Sequence, residues 1–336
     1  MQTHQSGGRR ATGRRQNPRE GARTAAALIL PLLLAACGLG SAGATGPSPS
    51  PAVGHFPVSI TAPGGTTVTL ARRPVRIVSL SPTATEMLFA LGAGKQVVAV
   101  DDQSNYPAQA PVTKLSGFQP NVEAIAGYTP DLVVASEDPG GMVQGLAQVS
   151  VPTLLEPAAK NLDDSYTQVR QLGDATGHVG EAAALVARMR ADIARIVASV
   201  GRPSRKLSVY HELDDTRYSA TSKTFIGQVY TLLGLTNIAD AAAGAAPDYP
   251  QLSSEFIISA SPDLIVLADT RCCHQDAAAV AARPGWTAIA AVKNSQVVAA
   301  DDDVASRWGP RVVDFIRLIA THVSQLQRTA LPLPTG

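Results

Sequence analysis

The chain is short of aromatic residues, of charge and of the motifs that mark enzymes or nucleic-acid-binding proteins. Of its 336 residues, 4% are aromatic and 16% are charged, whereas 45% are hydrophobic. No stripe of basic residues interleaved with aromatics occurs, which argues against a nucleic-acid partner. The length and the hydrophobic content instead predict a folded protein with room for two domains, each with its own core.

The formal net charge of +1 conceals an uneven distribution. The first 24 residues hold six of the 28 basic residues and one of the 27 acidic residues. The remainder therefore has 22 basic and 26 acidic residues, a net charge of −4. The body of the protein is mildly acidic.

Motifs of catalysis are also missing. The sequence has no G-x-S-x-G and no H-E-x-x-H, and "GAGKQ" at 92–96 lacks the first glycine and the final hydroxyl residue of a phosphate loop. The paired acids Asp101-Asp102 and Asp301–Asp303 follow predicted strands, where we expect solvated turn residues. We therefore expect no catalytic residue and no enzyme activity.

Cys272, Cys273 and His274 form a local cluster of metal-binding residue types. Adjacent thiolates chelate a single zinc ion poorly, so we expect no metal and no cofactor. In an oxidising compartment, adjacent cysteines either form a vicinal disulfide or stay free, and the sequence leaves both open.

The N-terminus has the pattern of an export signal. Arginines precede the apolar run Ala25–Ala36, which is too short to span a bilayer as a mature helix. The run ends in "LAAC", which resembles the lipobox of bacterial lipoproteins and predicts lipidation of Cys37. We expect a signal peptide at 1–36, a lipidated Cys and flexible tether at 37–56, and anchoring to the outer face of the cell membrane.

From Arg76 onward, short apolar runs alternate with helical patterns, which predicts an α/β fold with mainly parallel sheets. Between Asn161 and Val200 the β pattern disappears, and Gly177 separates a helix at 163–176 from a longer one at 178–200. We predict two Rossmann-like lobes, N-terminal at 57–160 and C-terminal at 202–330. Linking helices occupy 161–201 and include one long backbone helix, which predicts small closure on ligand binding.

A repeat supports the two lobes. "NVEAIAGYTPDLVV" at 121–134 returns as "SSEFIISASPDLIV" at 253–266, offset by 132 residues. Glu123 aligns with Glu255, and Asp131 aligns with Asp263. The repeat predicts one helix followed by one strand in each lobe.

Several of the few aromatic residues lie in loops after predicted strands. In open α/β sheets, ligands bind beyond the carboxyl ends of the strands, and aromatic faces on two lobes suit a large, flat, partly apolar ligand. Local packing alone explains any one of them equally well, but the set favours a cleft. The candidates are Tyr106, Phe118, Tyr218, Tyr249 and Trp308.

The segment "RIVSLSPTATEMLFALGAGKQVVAVDDQSNYPAQA" together with "NVEAIAGYTPDLVVAS" resembles the helical-backbone class of ABC-importer substrate-binding proteins. The resemblance covers about Arg76 to Leu326 and is strongest to the cobalamin-binding members. It implies two α/β lobes bridged by one long helix, and aromatic ligand contacts at Tyr106, Phe118 and Tyr249.

The resemblance also implies polar ligand contacts at Asp303 and Arg307. It implies that Glu123 and Glu255, one on each lobe, dock into arginines of the permease, although an acid in the first turn of a helix is also expected from the helix dipole. Ser136, Leu233 and Ala320 depart from the family pattern, at an aromatic ligand contact and at two disulfide positions respectively.

We therefore expect a monomeric lipoprotein that captures cobalamin or another corrinoid and delivers it to an ABC permease with its ATPase. A ferric siderophore or haem is the alternative ligand. A cell-surface lipoprotein or an enzyme without a transport role is the alternative class.

Overall fold

The computed structural model describes residues 54–201, 205–242 and 248–329. The predicted signal peptide, Cys37 and most of the predicted tether lie outside these residues. Among the described residues, no helix is both long enough and apolar enough to cross a membrane.

The N-terminal lobe opens with an antiparallel hairpin that the sequence did not reveal. A parallel sheet follows, in the order β4-β3-β5-β6. The elements are β1 (Val58–Thr61), β2 (Thr67–Leu70), β3 (Ile77–Leu80), α1 (Pro82–Ala90), β4 (Val97–Val100), α2 (Val122–Ala126), β5 (Leu132–Ala135), α3 (Met142–Gln148) and β6 (Thr153–Leu155), with 3₁₀ turns at Ala93–Gln96 and Pro139–Gly141.

Local chemistry sets the boundaries of α1 and the break between the two linking helices, which the sequence predicted at Gly177. The Ser81 hydroxyl accepts a hydrogen bond from the Ala84 amide, and Pro82 opens α1. Gly92, just past the end of α1, has a φ of 85°, and Gly177, which separates the two linking helices, has a φ of 75°. Both are left-handed conformations that glycine adopts without strain.

The linking segment and the C-terminal lobe complete the fold. The second parallel sheet runs in the order β10-β9-β7-β8. The elements are α4 (Leu162–Thr176), α5 (Val179–Val200), β7 (Leu207–Glu212), α6 (Phe225–Leu232), β8 (Leu235–Asn237), α7 (Ala239–Ala242), α8 (Ser254–Ala260), β9 (Leu264–Leu267), α9 (Ala277–Ala282), α10 (Ala290–Lys293), β10 (Val297–Ala299), α11 (Asp302–Ser306) and α12 (Val312–Thr329), with a 3₁₀ turn at Trp286–Ala288.

The two lobes share one strand order and one register. In each parallel sheet, counting its own four strands along the chain, the first strand (β3 or β7) lies between the second and the third, and the fourth strand lies outside the third. Ile77 pairs with Leu132 in the first lobe, and Val209 pairs with Leu264 in the second, at the repeat offset of 132 residues. The sequence repeat is therefore a repeat of structure.

One hydrophobic core runs through both lobes. Helix α5 packs against both α4 and α12, and its buried Leu185, Met189 and Ile193 belong to the same apolar cluster as one face of each sheet. The predicted long helix is present, with 22 residues. The lobes are thus connected by a layer of packed helices as well as by the chain.

Candidate functional site

The predicted ligand contacts lie on loops at the carboxyl ends of the strands. Tyr106 follows β4, Tyr218 follows β7, and Tyr249 follows β8. Phe118 lies just after Leu115, which forms an isolated parallel β-bridge with Asp101 at the end of β4. This bridge holds the Phe118 segment near the carboxyl end of β4. Asp303 and Arg307 follow β10. Contacts between the loop after β4 and the segment after β10 bring the two lobes together here.

Exposure separates four of these aromatics from the core. Tyr106 is 46% exposed, Phe118 70%, Tyr218 41% and Tyr249 50%. Among the described residues, these four make up half of the eight large apolar side chains that are exposed. In a chain with so few aromatic residues, we would expect most of their side chains to be buried in the core. The exposure of these four therefore fits a ligand-binding surface.

A charged cluster joins the lobes beside the loop that carries Tyr106. Glu86, on α1, is 3% exposed, and its carboxylate accepts hydrogen bonds from Arg307 at 2.8 Å and from Arg311 at 2.9 and 2.5 Å. These partners are more than 200 residues away along the chain. We call Glu86, Asn105, Asp303, Arg307 and Arg311 the interlobe cluster.

Arg307 is fully engaged within this cluster. One of its terminal nitrogens donates to Glu86 and to Asn105 Oδ1, and the other donates to the Gln103 carbonyl at 2.9 Å and to Asp303 at 2.7 Å. Asp303 in turn accepts from the Asn105 amide at 2.7 Å. The predicted polar contacts Asp303 and Arg307 therefore lie together, and each contacts the opposite lobe.

Tyr106 and Phe118 lie on the same lobe but line different depressions. Tyr106 stacks on the Arg311 guanidinium, 4.2 Å from the ring centroid, and lines a groove of about 400 Å³ between α1 and the start of α12. Phe118 lines a hollow of about 60 Å³ with Ser136. The structure does not place these two aromatics in one pocket.

Tyr218 and Tyr249 are brought together on the C-terminal lobe. The Ser219 amide donates to the Pro250 carbonyl at 2.9 Å, and the Leu252 amide donates to the Arg217 carbonyl at 3.0 Å. Tyr218 forms an antiparallel bridge with Gln251. This short backbone ladder holds both tyrosine-bearing loops side by side.

Trp308 takes a different position from the other predicted aromatics. Its indole N–H donates to Gln168 on α4 at 2.8 Å, and its carbonyl accepts from the Ser165 hydroxyl at 2.5 Å. The half-buried ring packs on the shared core. The structure gives Trp308 a packing role, and its contact with ligand stays a prediction.

The repeat divides into a structural part and an exposed part. Asp131 accepts hydrogen bonds from the backbone amides of Val75 and Arg76, just before β3. Asp263 does the same for Ser208 in β7 and also pairs with Arg205. Both acids therefore fasten the end of a neighbouring central strand.

Glu123 and Glu255, in contrast to Asp131 and Asp263, form no hydrogen bonds to the neighbouring strands within the described part of the chain. Each is the second residue of a short helix, capped by Asn121 in one lobe and by Ser253 in the other. Both are exposed, and no hydrogen bond or ion pair of either carboxylate to another described residue is present. The helix dipole is the one stabilising feature found for them.

The expectation that acids after strands are solvated turn residues is wrong for Asp101, for Asp302 and for Asp303, which belongs to the interlobe cluster. Asp101 is 3% exposed and accepts a hydrogen bond from the Ser104 hydroxyl, and burial is the main cause of its raised pKa. The Asp302 carboxylate accepts hydrogen bonds from the backbone amides of Thr270, Arg271 and Cys272.

Among the described residues, no group of three or more His, Cys, Asp or Glu side chains is arranged so that it could hold a metal ion.

Sequence reasoning missed Glu86, Asn105 and Arg311. One signal was available for Glu86, since it is a charged residue within the apolar helix "PTATEMLFA". A charge on a helix face that must be buried requires a partner, which here comes from the opposite lobe.

The pattern of the family described as periplasmic binding protein matches residues 77–304. The chain belongs to this family. Its members are binding components of transport systems and not enzymes, so the class predicted from the sequence resemblance is confirmed.

Individual relatives agree with this assignment. The chain is 30% identical over 309 residues to YvrC of Bacillus subtilis, described as an uncharacterized ABC transporter substrate-binding lipoprotein, covering 89% of this chain and 95% of YvrC. It is 33% identical over 267 residues to a cobalamin-binding protein of Halobacterium salinarum, covering 77% of this chain and 72% of that protein.

Solved structures share the fold. The periplasmic heme-binding protein HutB of Vibrio cholerae superposes with a TM-score of 0.66 at 25% identity, covering 74% of this chain and 98% of HutB. The predicted α/β architecture of two lobes is therefore confirmed.

Proposed function

We propose that this protein is a monomeric, lipid-anchored binding protein that captures a cobalamin or related corrinoid between its two lobes and delivers it to an ABC permease. The observation that carries the proposal is the set of four exposed aromatics on loops at the carboxyl ends of both sheets. A corrin ring offers a broad, partly apolar face, and such a ligand is bound well by aromatic rings.

The arginines near the cleft favour this ligand over an anionic chelate. Arg271, Arg307 and Arg311 each pair with a carboxylate of the protein itself. An anionic ferric siderophore would need to break these pairs, and an unpaired buried carboxylate is costly. The cobalamin-binding relative at 33% identity is in keeping with this choice.

Delivery is proposed to use Glu123 and Glu255. The two carboxylates are exposed, are repeated at the same position in the two lobes, and carry no bond that the fold requires. A pair of anionic points at a fixed spacing suits docking on a permease with two matching basic sites.

The membrane anchor is proposed to be a lipid on Cys37, which lies outside the described residues. Its support is the sequence "LAAC" after an apolar run, together with the printed description of YvrC as a lipoprotein. The protein would then work on the outer face of the cell membrane.

A second candidate ligand is haem, and the alternative rests on HutB, which shares the fold at 25% identity. Haem is also flat and largely apolar, so the exposed aromatics would suit it. It differs from a corrinoid in carrying two carboxylates that need cationic partners.

The test is calorimetric titration of the full chain, purified in detergent, with cyanocobalamin, haemin and a ferric hydroxamate. We expect one-to-one binding of cyanocobalamin that is weakened by Tyr249→Ala. The matched control is Val149→Ala, since Val149 is 52% exposed but follows α3, away from the predicted contacts. Binding of haemin without binding of cyanocobalamin would retain the binding-protein role and reject the corrinoid.

A further inference from the structure

The loop that follows β9 is held in place from two directions. The Asp302 carboxylate accepts backbone N–H groups of Thr270 at 2.8 Å, Arg271 at 3.0 Å and Cys272 at 3.0 Å. The Asp269 carbonyl accepts those of Cys273 at 3.2 Å and Gln275 at 3.3 Å. The backbone is thus fixed on both sides of the Cys272-Cys273 pair, which the transport function does not use.

The two sulfur atoms are each other's neighbours. Their Sγ atoms lie 2.6 Å apart, and no other cysteine occurs among the described residues. Cys272 is exposed, so an oxidant in solution has access to the pair. Oxidation of either sulfur would therefore find the other sulfur within bonding reach.

The surroundings disfavour the reduced, ionised form. Cys272 is exposed at the surface, but partial desolvation of its thiol, the neighbouring Cys273 and the nearby carboxylates of Asp302 and Asp269 together raise the pKa of that thiol. Near neutral pH the Cys272 thiol therefore stays protonated, which makes it a poor metal ligand and a slow nucleophile toward an oxidant. The case for a disulfide rests on the proximity of the two sulfur atoms, and time to reach equilibrium is needed to test it.

We propose that Cys272 and Cys273 are a covalent modification site, joined by a disulfide bond between adjacent residues. In the reaction the two thiols lose two protons and two electrons and form one S–S bond. A disulfide oxidant, such as oxidised glutathione, accepts the two electrons and the two protons. Its own S–S bond breaks, and it is released as two thiols. Because export of the chain is itself a proposal, the oxidant is supplied in the experiment.

The proposed disulfide affects the interlobe cluster through Arg271. This residue immediately precedes the pair, and its guanidinium donates to Asp303 at 2.7 Å. Asp303 in turn contacts Arg307 and Asn105. A ring closed at Cys272 and Cys273 restricts the backbone next to Arg271 and so helps to position Asp303 at the junction of the lobes.

The experiment equilibrates the full chain with excess oxidised glutathione, alkylates it and digests it with trypsin. Cleavage after Arg271 and Lys293, with Arg283 protected by Pro284, gives a peptide that holds both cysteines and no other. Its mass is independent of the state of Cys37. We expect an unalkylated peptide that is lighter by two hydrogen atoms than the dithiol form.

Two results would overturn the proposal. One is a peptide that carries two alkyl groups after equilibration, which shows free thiols. The other is a peptide with glutathione attached to one cysteine, which shows that the two sulfurs do not join. The variant Cys272→Ser is the matched control, because its lone Cys273 must be recovered alkylated or glutathionylated.

Amide hydrogen exchange tests the consequence for the loop. We expect residues 270–272 to exchange several-fold faster in the reduced protein than in the oxidised protein. The Cys273→Ser variant is expected to exchange at the faster rate under both conditions. Equal rates in oxidised and reduced wild-type protein would contradict the positioning role.

Discussion

The N-terminal and C-terminal lobes are built on the same frame but differ at the ends of their strands. Leu80, at the end of β3, corresponds to Glu212 at the end of β7, and exposed Glu137 corresponds to buried Asp269, each at the offset of 132 residues. The comparison shows that the lobes share strand order, register and the side-chain cap of the repeated helix, at Asn121 and Ser253, whereas the charged residues at the carboxyl ends of the strands differ between the lobes. On the proposed function, the shared strand order places the ligand at the carboxyl ends of the strands, and the loops that differ between the lobes determine which ligand binds.

The largest expected effect comes from breaking the cluster that joins the lobes. We expect Glu86→Gln to lower the free energy of unfolding by about 3–5 kcal/mol, because it removes the carboxylate paired with Arg311 and one of the two carboxylates paired with Arg307 in a buried place. Urea denaturation measures this. The control is Asp314→Asn, which removes an exposed pair with Arg317 and is expected to cost less than about 1 kcal/mol. Equal losses in the two variants would show that the cluster does not stabilise the protein.

The second effect concerns the carboxyls that differ between the lobes. Burial is the main cause, and the Glu212 charge the next, of a pKa of about 7 for Asp269, whereas Arg283 acts in the opposite direction. Burial also raises the pKa of Glu156, in the other lobe, to about 8. Because the folded state holds these protons more tightly than the unfolded chain, their contribution to stability is complete below about pH 4 and is lost as the pH rises through 7 and 8.

We therefore expect the free energy of unfolding to fall by a few kcal/mol between about pH 4 and pH 8, with Glu156 contributing somewhat more than Asp269 because its pKa is higher. The variant Asp269→Asn is expected to reduce the slope of the profile between about pH 4 and pH 7 and to leave the part above pH 7 unchanged. Glu137→Gln, at the corresponding exposed position of the other lobe, is expected to leave the profile unchanged. A flat wild-type profile, measured by urea denaturation across this range, would show that neither carboxyl is protonated in the folded state.

A smaller effect separates the two halves of the repeat. Asp131→Asn is expected to destabilise the protein by about 1 kcal/mol, and Asp263→Asn by about 1–2 kcal/mol, since Asp263 also accepts two hydrogen bonds from Arg205. Glu123→Gln and Glu255→Gln are expected to change stability by less than about 0.5 kcal/mol. Chemical denaturation of the four variants makes the comparison, and destabilisation by the glutamate changes would assign them a role in the fold.

What the sequence reveals follows from the range of each interaction. The break between the two linking helices at Gly177 and the helix-strand unit of the repeat are local patterns, and the sequence predicted both. The three-residue strand β8 (Leu235–Asn237) was not predicted, because so short a run has no usable periodicity. The sequence repeat predicted that the two lobes contain the same helix-strand unit. The pairing of Glu86 with Arg307 joins residues 221 positions apart, and that of Trp308 with Gln168 joins residues 140 apart. Such contacts leave no local pattern, so neither the cluster nor the packing role of Trp308 was predicted.

The hairpin β1–β2 was not predicted from the sequence, for a related reason. Its strands "VSIT" and "TVTL" are short and partly exposed, and they are stabilised by pairing with each other and by packing on α4. A four-residue run of this kind has too little periodicity to be distinguished from a loop.

The central claim is that one ligand is held by aromatic residues of both lobes. Its most direct test is titration of cyanocobalamin into Tyr106→Ala, Tyr249→Ala and the double variant, with wild-type protein beside them. We predict that each single change weakens binding by about 3–10-fold, and that the double change weakens it by roughly the product. Loss of affinity from a change in one lobe with none from the other would contradict binding between the lobes.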